Sequence, residues 1–199
     1  MLTVYAFRHG KTELNQKKVL QGHIDSPLIP EGLENAHSIA KKLRGISHDG
    51  IHSSDLGRAF ITAYIVTQDL GDNRPIVTAE ELREVSFGDL AGMPIDEAEA
   101  QNPGLQRETH FTPNNGESLG AMQQRVVEYL FALARVETPQ TVFIATHDCV
   151  LNAIYAKYAG IDLGPYNGEH YNAHDAVFKL LVDRDGIAAF TEHLAPPGV

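Results

Sequence analysis

Two short apolar runs of this chain are each followed directly by a polar turn that contains a histidine. The first run, residues 2–6, leads into Arg8-His9-Gly10, and the second, residues 141–145, leads into His147. Short runs rich in β-branched and aromatic residues are typical of buried strands. In an open sheet of parallel strands, ligands bind just outside the carboxyl ends of the strands. The two histidines are therefore predicted to lie at the ligand-binding edge of one sheet.

The rest of the chain alternates between helical and strand patterns. Helices are predicted after Pro30 as far as Gly45, from about residue 55 to 70, over 118–135 and over about 149–159, with a short one at 95–101. Further strands are predicted at residues 51–53 and 75–78, and a closing hairpin at 176–182 and 187–190. Strands that alternate with helices favour a parallel sheet covered on both faces. We predict the α/β class: a three-layer α/β/α sandwich with a mostly parallel central sheet and an antiparallel edge strand.

The helix predicted from about residue 55 to 70 begins with the polar residue that most needs an explanation. Arg58 falls in the first turn of the predicted helix, which Ser54 or Asp55 would cap. The N-terminus of a helix is partly positive, so an arginine there is unfavourable by itself. Either a neighbouring acid pairs with Arg58, or an anion is held nearby.

The net charge of −10 restricts the partners of this chain. It argues against nucleic acid and against an anionic membrane surface. The single cysteine, Cys149, excludes an internal disulfide and fits a reducing compartment. The first residues lack the pattern of a signal peptide, and no apolar run approaches the ~20 residues of a membrane helix. We therefore expect a cytoplasmic protein; the sequence is compatible with a homodimer but does not specify the oligomeric state.

Carboxyl ends of parallel strands meet at one edge, so His9, Arg58 and His147 are predicted to lie together, with Arg8 beside them. Two histidines and two arginines gathered in an acidic protein indicate a local anion pocket. The guanidinium group matches phosphate with a planar fork of donors. A phosphoryl group is therefore the expected ligand, and a small phosphorylated molecule the expected partner.

The order of motifs along the chain resembles the histidine phosphatase superfamily, the phosphoglycerate-mutase-like proteins, over most of its length. The similar segments are residues 8–15, 21–28, 54–63, 82–92, 116–118 and 145–147. This resemblance implies one domain over residues 1–199. Residues 85–117 carry many loop signals and few regular ones, so we expect them to form a lid or substrate loop.

The resemblance also implies roles for individual residues. His9 would be the nucleophile that forms a phosphohistidine, with its other ring nitrogen held by a backbone acceptor. Arg8, Arg58 and His147 would hold the phosphoryl oxygens. No metal or other cofactor is expected, because protein side chains supply the positive charge. Further phosphate- or substrate-binding positions are expected at Asn15, Gln21, Gly22 and Asp148.

Glu84 matches the acid-bearing motif and would be the general acid that protonates the leaving oxygen and then activates water. Glu80 and Glu81 lie close by in the sequence, and only the motif favours Glu84 over them.

The chain departs from the family pattern at two places. Asp148 stands where the family has glycine, and Leu90-Ala91 stands where an aromatic-acid pair is common. A carboxylate beside the phosphate would repel it unless it is turned away or paired. It would raise the pKa of His147, orient that ring, or weaken catalysis.

We expect a metal-independent phosphomonoesterase that acts on a small metabolite. Mutase-type phosphoryl transfer is an alternative, with Lys17, Lys18 and Arg107 as a second anion site. Against it, residues 94–117 hold five acids and one arginine, and the chain is short for a phosphoglycerate mutase. A catalytically weak phosphate-binding module, motivated by Asp148, is a second alternative, and a metal-dependent hydrolase built on His147 and Asp148 is a third.

The remaining cysteine and histidine residues are not expected to take part in the reaction. Cys149 is predicted to be buried at a helix start rather than to act as a nucleophile. Among the other histidines, the loops of His23 and His110 could border the pocket. Surface positions are expected for the rest: His37, His48, His52, His170, His174 and His193.

Overall fold

A computed structural model describes residues 1–105, 108–138, 140–163, 173–184 and 186–192. Arg107, His170 and His193, named above, lie outside the described residues, as does one turn residue of the closing hairpin.

Within these ranges, the strands are β1 Leu2–Arg8, β2 Gly50–Ser54, β3 Ile76–Ala79, β4 Gln140–Thr146, β5 Val177–Val182 and β6 Ile187–Glu192. They form one sheet in the order β3-β2-β4-β1-β5-β6. Neighbours from β3 to β1 pair in parallel, whereas β5 is antiparallel to both β1 and β6. The predicted α/β class, with a mostly parallel sheet and antiparallel pairing at one edge, is confirmed.

Helices lie on both faces of this sheet. They are α1 Glu13–Gln16, α2 Pro30–Leu43, α3 Gly57–Leu70, α4 Ile95–Gln101, α5 Leu119–Ala134 and α6 Asp148–Ala159, with 3₁₀ turns at Glu80–Leu82 and Gly88–Leu90. None of these helices, within the described ranges, is long and apolar enough to cross a membrane.

Strand β1 is apolar on both sides because both of its faces are covered. Tyr5 and Phe7 belong to a buried cluster that includes residues of α2 and α3. Val4 and Ala6, which point the other way, belong to a second cluster that includes residues of α5 and α6. Because successive side chains of a strand point to opposite faces, β1 contributes residues to both clusters.

The register of the sheet brings three strand ends to one edge. Arg8 is opposite Thr146 across the β1–β4 pair, and Ser53 is opposite Ala145 across the β2–β4 pair. The N–H of His9 continues the ladder by donating to Thr146 O at 3.0 Å. The residues that follow β1, β2 and β4 therefore share one edge.

The segment at residues 11–30, for which no helix was predicted, contains the short helix α1. Thr12 Oγ1 accepts from Asn15 N, and Asn15 Oδ1 accepts from Thr12 N, at 3.2 and 3.1 Å. This reciprocal pair is a capping box, and it stabilises a single helical turn directly after β1.

The predicted cap of α3 is wrong. The helix begins after Leu56, which makes no side-chain cap, and Asp25 Oδ1 instead accepts from Arg58 N at 3.1 Å. A Cβ atom on Gly57 would lie 2.0 Å from Asp25 Oδ2, so a larger residue here would displace the carboxylate that caps the helix. Asp55, one of the two predicted caps, instead forms an ion pair with Arg83. The cap comes from a loop more than thirty residues away, which local sequence cannot indicate.

Candidate active site

A cavity of about 150 Å³ lies at the shared edge of the sheet. Its wall is formed by the end of β1, the loop after α1, the first turns of α3 and α6, and the segment after β3. Of the sequence-predicted residues, the wall includes Arg8, His9, Asn15, Gln21, Gly22, Arg58, Glu84 and Asp148.

His9 is held as a neutral ring with an unprotonated Nε2. Its Nδ1 lies 2.8 Å from Gly10 O and donates to that carbonyl. Its Nε2 accepts a hydrogen bond of 3.2 Å from Arg58 Nε. Burial, and then the charges of Arg58 and Arg8, lower the pKa of His9 well below its usual value. The ring nitrogen on the Arg58 side therefore carries a lone pair, which a nucleophile requires.

Arg58 is almost fully buried, at 1% exposure. Its Nη2 donates to Gly22 O at 2.7 Å and its Nη1 to Ile24 O at 2.9 Å. Gly22 has φ of +52°, a conformation that glycine adopts readily. Burial lowers the pKa of Arg58, while Glu84 and Asp25 oppose that shift. The guanidinium stays charged because arginine keeps its proton in proteins. The nearest acid pairing is loose, since Arg58 Nη1 and Asp25 Oδ1 are 3.9 Å apart.

His147 is fully buried beside His9, with 5.2 Å between the ring centroids. Its Nε2 lies 2.8 Å from the Ser54 hydroxyl, which itself accepts from Leu56 N. The hydroxyl can donate its own proton to Nε2, and in that arrangement the proton of the neutral ring is on Nδ1. Among the described residues, that Nδ1 has no hydrogen-bond partner.

The pKa of His147 is lowered well below its usual value, first by burial and then by Arg58, His9 and Arg8. A raised pKa of His147, one of the three effects considered for Asp148, is therefore not found. The ring is surrounded by cations, and burial further disfavours a positive charge on it.

Glu84 is the carboxylate of its segment that reaches the cavity. Its Oε1 accepts from Val85 N at 3.0 Å, and its Oε2 accepts from Cys149 N at 3.4 Å. Glu80 instead pairs with Arg83 at 3.3 Å, and both Glu80 and Glu81 line a separate groove. Glu84, which only the motif favoured, is thus the one of these three acids that lines the same cavity as His9.

Asp148 faces Arg8, with 3.3 Å between Oδ1 and Nη1. Burial raises the pKa of Asp148 to about 6, Arg8 opposes this rise, and Glu84 adds to it. The extra carboxylate is therefore within ion-pair distance of Arg8, although its Oδ1 accepts no hydrogen bond from the described residues.

Two amides complete the wall near α1. Asn15 uses its Oδ1 to accept from Thr12, which leaves its NH₂ group as the donor for a ligand. Gln21 Oε1 accepts from the Thr12 hydroxyl at 3.1 Å. Thr12 thus orients both amides from behind.

His174 was expected at the surface, but it contacts the nucleophile candidate. Its Nδ1 lies 2.9 Å from His9 O, and the two rings are 5.9 Å apart. Burial and Arg8 lower the pKa of His174 to about 4. The topology of the sheet could have indicated this contact. His174 comes shortly before β5, and the first residue of β5, Val177, pairs with Phe7 near the end of β1.

Arg125 on α5 is a second residue that sequence reasoning missed. It donates to the carbonyls of Glu81, Arg83 and Glu84 at 2.7, 2.8 and 3.0 Å. Its guanidinium also pairs with Glu117, whose Oε1 accepts from Ser86 N at 3.0 Å. We call this arrangement of Arg125 and Glu117 the backbone clamp, because it holds the segment that carries Glu84.

The remaining candidates are placed as follows. His23 Nε2 lies 2.9 Å from Glu84 O, whereas His110 is exposed and does not line the cavity. Cys149 is buried at the start of α6, and burial raises the pKa of its thiol well above the usual value.

In the part of the chain that the structure describes, no group of three His, Cys, Asp or Glu side chains is arranged to hold a metal ion.

Comparisons with known proteins point to one family. The model of the histidine phosphatase superfamily (branch 1) matches residues 4–190. The adenosylcobalamin/alpha-ribazole phosphatase of Escherichia coli is 30% identical over 198 residues, covering 92% of this chain and 97% of that protein. A probable phosphoglycerate mutase, GpmB of Salmonella choleraesuis, is 31% identical and covers 81% and 76% respectively. The solved structure of YhfR from Bacillus stearothermophilus superimposes with a TM-score of 0.84, at 32% identity and 94% coverage of each chain.

Proposed function

The chain belongs to branch 1 of the histidine phosphatase superfamily, and on this premise we propose that it is a metal-independent phosphomonoesterase acting on a small phosphorylated metabolite. The observation that carries the proposal is the placement of His9. A neutral imidazole nitrogen faces two arginines across a small cavity, and its other nitrogen is fixed by Gly10 O. This is the arrangement that a nitrogen nucleophile for phosphorus requires.

In the proposed first step, His9 Nε2 attacks phosphorus, a P–N bond forms, and the bond from phosphorus to the leaving oxygen breaks. As phosphorus approaches, Nε2 gives up the hydrogen bond from Arg58 Nε, and Arg58 and Arg8 together stabilise the phosphoryl oxygens. The Nδ1–H···O bond to Gly10 stabilises the positive charge that develops on the ring. Phosphoryl transfer depends mainly on positioning and electrostatics, so this set of donors supplies most of the rate enhancement.

Glu84 provides the proton in the proposed mechanism. It transfers a proton to the leaving alkoxide and then removes one from the water that attacks the phosphohistidine. The P–N bond breaks, inorganic phosphate is released, and His9 returns to its neutral form. Two observations support this role: Glu84 lines the cavity and is only 8% exposed. Two backbone N–H groups fix the position of its carboxyl group.

Hydrolysis is favoured over mutase-type transfer by two observations. The alignment with the alpha-ribazole phosphatase covers 97% of that protein, whereas the alignment with the probable mutase covers 76%. Lys17, one of the cations considered for a second anion site, lies 3.7 Å from Glu13 and is largely exposed.

We propose that residues 85–117 form the substrate loop over the cavity. Phe87 and Ile95 from this segment line it. Leu20 N donates to Met93 O at 2.9 Å, and Gly92 N donates to Leu20 O at 2.8 Å. These bonds tie the near end of the loop to the cavity wall, so the composition of the loop would select the leaving group.

A phosphate-release screen tests the proposal. It would cover sugar phosphates, nucleotides, phosphoamino acids, phosphoglycerates and, given the relative's name, α-ribazole phosphate. We expect release from at least one small monoester, loss of release in His9→Ala, and retention in His37→Ala, whose ring lies outside the cavity beside Asp69.

Three outcomes would reject the proposal. Interconversion of phosphoglycerates faster than hydrolysis would assign a mutase. Binding of monoesters without turnover or a phosphohistidine would assign a binding module. Activity lost to a chelator and restored by a metal ion would assign a metal-dependent hydrolase.

A further inference from the structure

Three buried polar atoms lack a hydrogen-bond partner within the described residues: Arg8 Nε, His147 Nδ1 and Asp148 Oδ1. The first is a donor, and the tautomer argued above makes the second a donor as well. Both are suited to an anion. The third belongs to a carboxyl group, which as a carboxylate would repel the same anion.

The contact between Arg8 and Asp148 does not satisfy this oxygen. Nη1 and Oδ1 are 3.3 Å apart, close enough for an ion pair, yet the geometry is not that of a hydrogen bond. A buried carboxylate oxygen without a donor is costly. Protonation would remove the charge, and it would turn the carboxyl group into a donor.

The groups that face Asp148 come from several elements. Arg8 approaches from β1, Glu84 from the segment after β3, and Cys149 is the next residue on α6 itself. Arg8 favours the carboxylate, whereas burial and Glu84 favour the neutral acid, and together they raise the pKa of Asp148 to about 6. A second anion in the cavity would act in the same direction as Glu84, because like charges disfavour each other.

We propose that Asp148 contacts the bound phosphoryl group as a neutral carboxylic acid that donates a hydrogen bond, so that binding takes up one proton from solution. The inference rests on the proposed function, which places a phosphoryl group in this cavity. It explains how an acid can stand at this position: the side chain is an ion-pair partner for Arg8 in the empty cavity and a donor in the filled one.

The consequence is a defined dependence of binding on pH. If the filled cavity requires the protonated acid, the apparent Kd rises by up to about tenfold for each pH unit above the pKa of Asp148. Phosphate monoesters titrate in this range themselves and would obscure the effect. Sulfate is a suitable probe because it keeps two negative charges throughout.

The experiment is calorimetric titration of the whole protein with sulfate, in two buffers of different ionisation enthalpy, between about pH 6.5 and 8.5. For the natural protein we expect about one proton taken up per sulfate, with the Kd rising close to tenfold per pH unit. Asp148→Asn keeps a donor and loses the titration, so its Kd should stay within about twofold over this range. Glu84→Gln, which tests the other carboxyl group of the cavity as the source of the proton uptake, should keep that uptake. Asp69→Asn, outside the cavity beside His37, is the matched control and should also keep it.

Asp148→Gly serves as a second variant that removes the carboxyl altogether, and it should also show a Kd independent of pH. Proton uptake that is unchanged in both Asp148 variants, or a flat Kd in the natural protein, would overturn the inference and leave the proposed function standing. Absence of sulfate binding at every pH, together with absence of phosphate release, would overturn the proposed function and this inference with it.

Discussion

Arg58 Nε donates a hydrogen bond of 3.2 Å to His9 Nε2, so the guanidinium that would stabilise a phosphoryl group first orients the nucleophile candidate. The carbonyls of Gly22 and Ile24 accept from the two terminal nitrogens of Arg58 and fix its plane. A planar group held at three points cannot be replaced by a single flexible ammonium.

Arg58→Ala is accordingly expected to lower kcat/KM by about 10²–10³-fold, or ~3–4 kcal/mol, as removal of a central charge-stabilising donor does elsewhere. Arg58→Lys should recover only part of this loss, because lysine keeps the charge but cannot bridge His9 and both carbonyls. The measurement is kcat/KM for the best substrate of the release screen.

Arg74→Ala is the matched control for Arg58. Arg74 also binds a carbonyl and a carboxylate, those of His48 and Asp72, but it lies outside the cavity. A loss in Arg58→Ala no greater than that in Arg74→Ala would contradict the role given to Arg58.

Arg125→Met should impair proton donation rather than phosphate binding, since the backbone clamp holds the segment that carries Glu84. An alkoxide leaving group must be protonated as its bond to phosphorus breaks, whereas nitrophenolate is stable enough to leave without a proton. We therefore expect kcat to fall by about tenfold or more for an alkyl phosphate and by less than threefold for p-nitrophenyl phosphate.

Glu84→Gln should show the same pattern with a larger loss, whereas a variant that merely loosens the fold would lower both activities together. Equal losses for the two substrates in folded Arg125→Met would contradict a positioning role for the clamp.

The buried histidines should make the protein less stable as the pH falls. His9, His147 and His174 have lowered pKa values in the folded state, that of His174 about 4. Below about pH 6.5 the unfolded chain binds protons that the folded chain does not, so each such group removes up to about 1.4 kcal/mol per pH unit. Urea unfolding between pH 7.5 and 5 measures this loss.

His174→Asn provides the matching variant, since its amide can still donate to His9 O. Its free energy of unfolding should fall less steeply as the pH is lowered. The slope against pH should correspond to about one proton fewer taken up on unfolding. A slope identical to that of the natural protein would show that His174 titrates normally.

Asp148→Asn should be more stable than the natural protein at neutral pH. The pKa of Asp148 is raised from 3.8 to about 6, so the folded state is penalised for carrying the carboxylate above that range. The gain should be roughly 2–3 kcal/mol near pH 7.5 and should disappear as the pH falls below about 4, where both states hold a neutral acid.

Asp55→Asn should behave in the opposite way. Its hydrogen bonds to Arg83 lower the pKa of Asp55, so losing the carboxylate should destabilise the protein at neutral pH. If Asp148→Asn were also less stable there, the raised pKa of Asp148 would be the wrong explanation.

Local sequence was sufficient to predict those site residues that directly follow a strand. Apolar runs bounded by turns predicted the strands, and the rule that parallel strands share an edge was enough to bring His9, Arg58 and His147 together. The capping box of α1 is formed by Thr12 and Asn15, three positions apart, so it is a local feature of the sequence. The backbone clamp was not visible, because nothing near Arg125 in sequence indicates carbonyls that lie some forty residues away.

The order of the strands and helices, and the types of residue available at the sheet edge, were determined by the sequence alone, because hydrophobic periodicity and turn residues act over a few positions. The tertiary structure alone decided which groups touch: Asp25 as the cap of α3, His174 behind His9, and Asp148 opposite Arg8. Hydrogen bonds and charges act over a few ångströms, and only the folded chain brings residues this far apart in sequence within that distance.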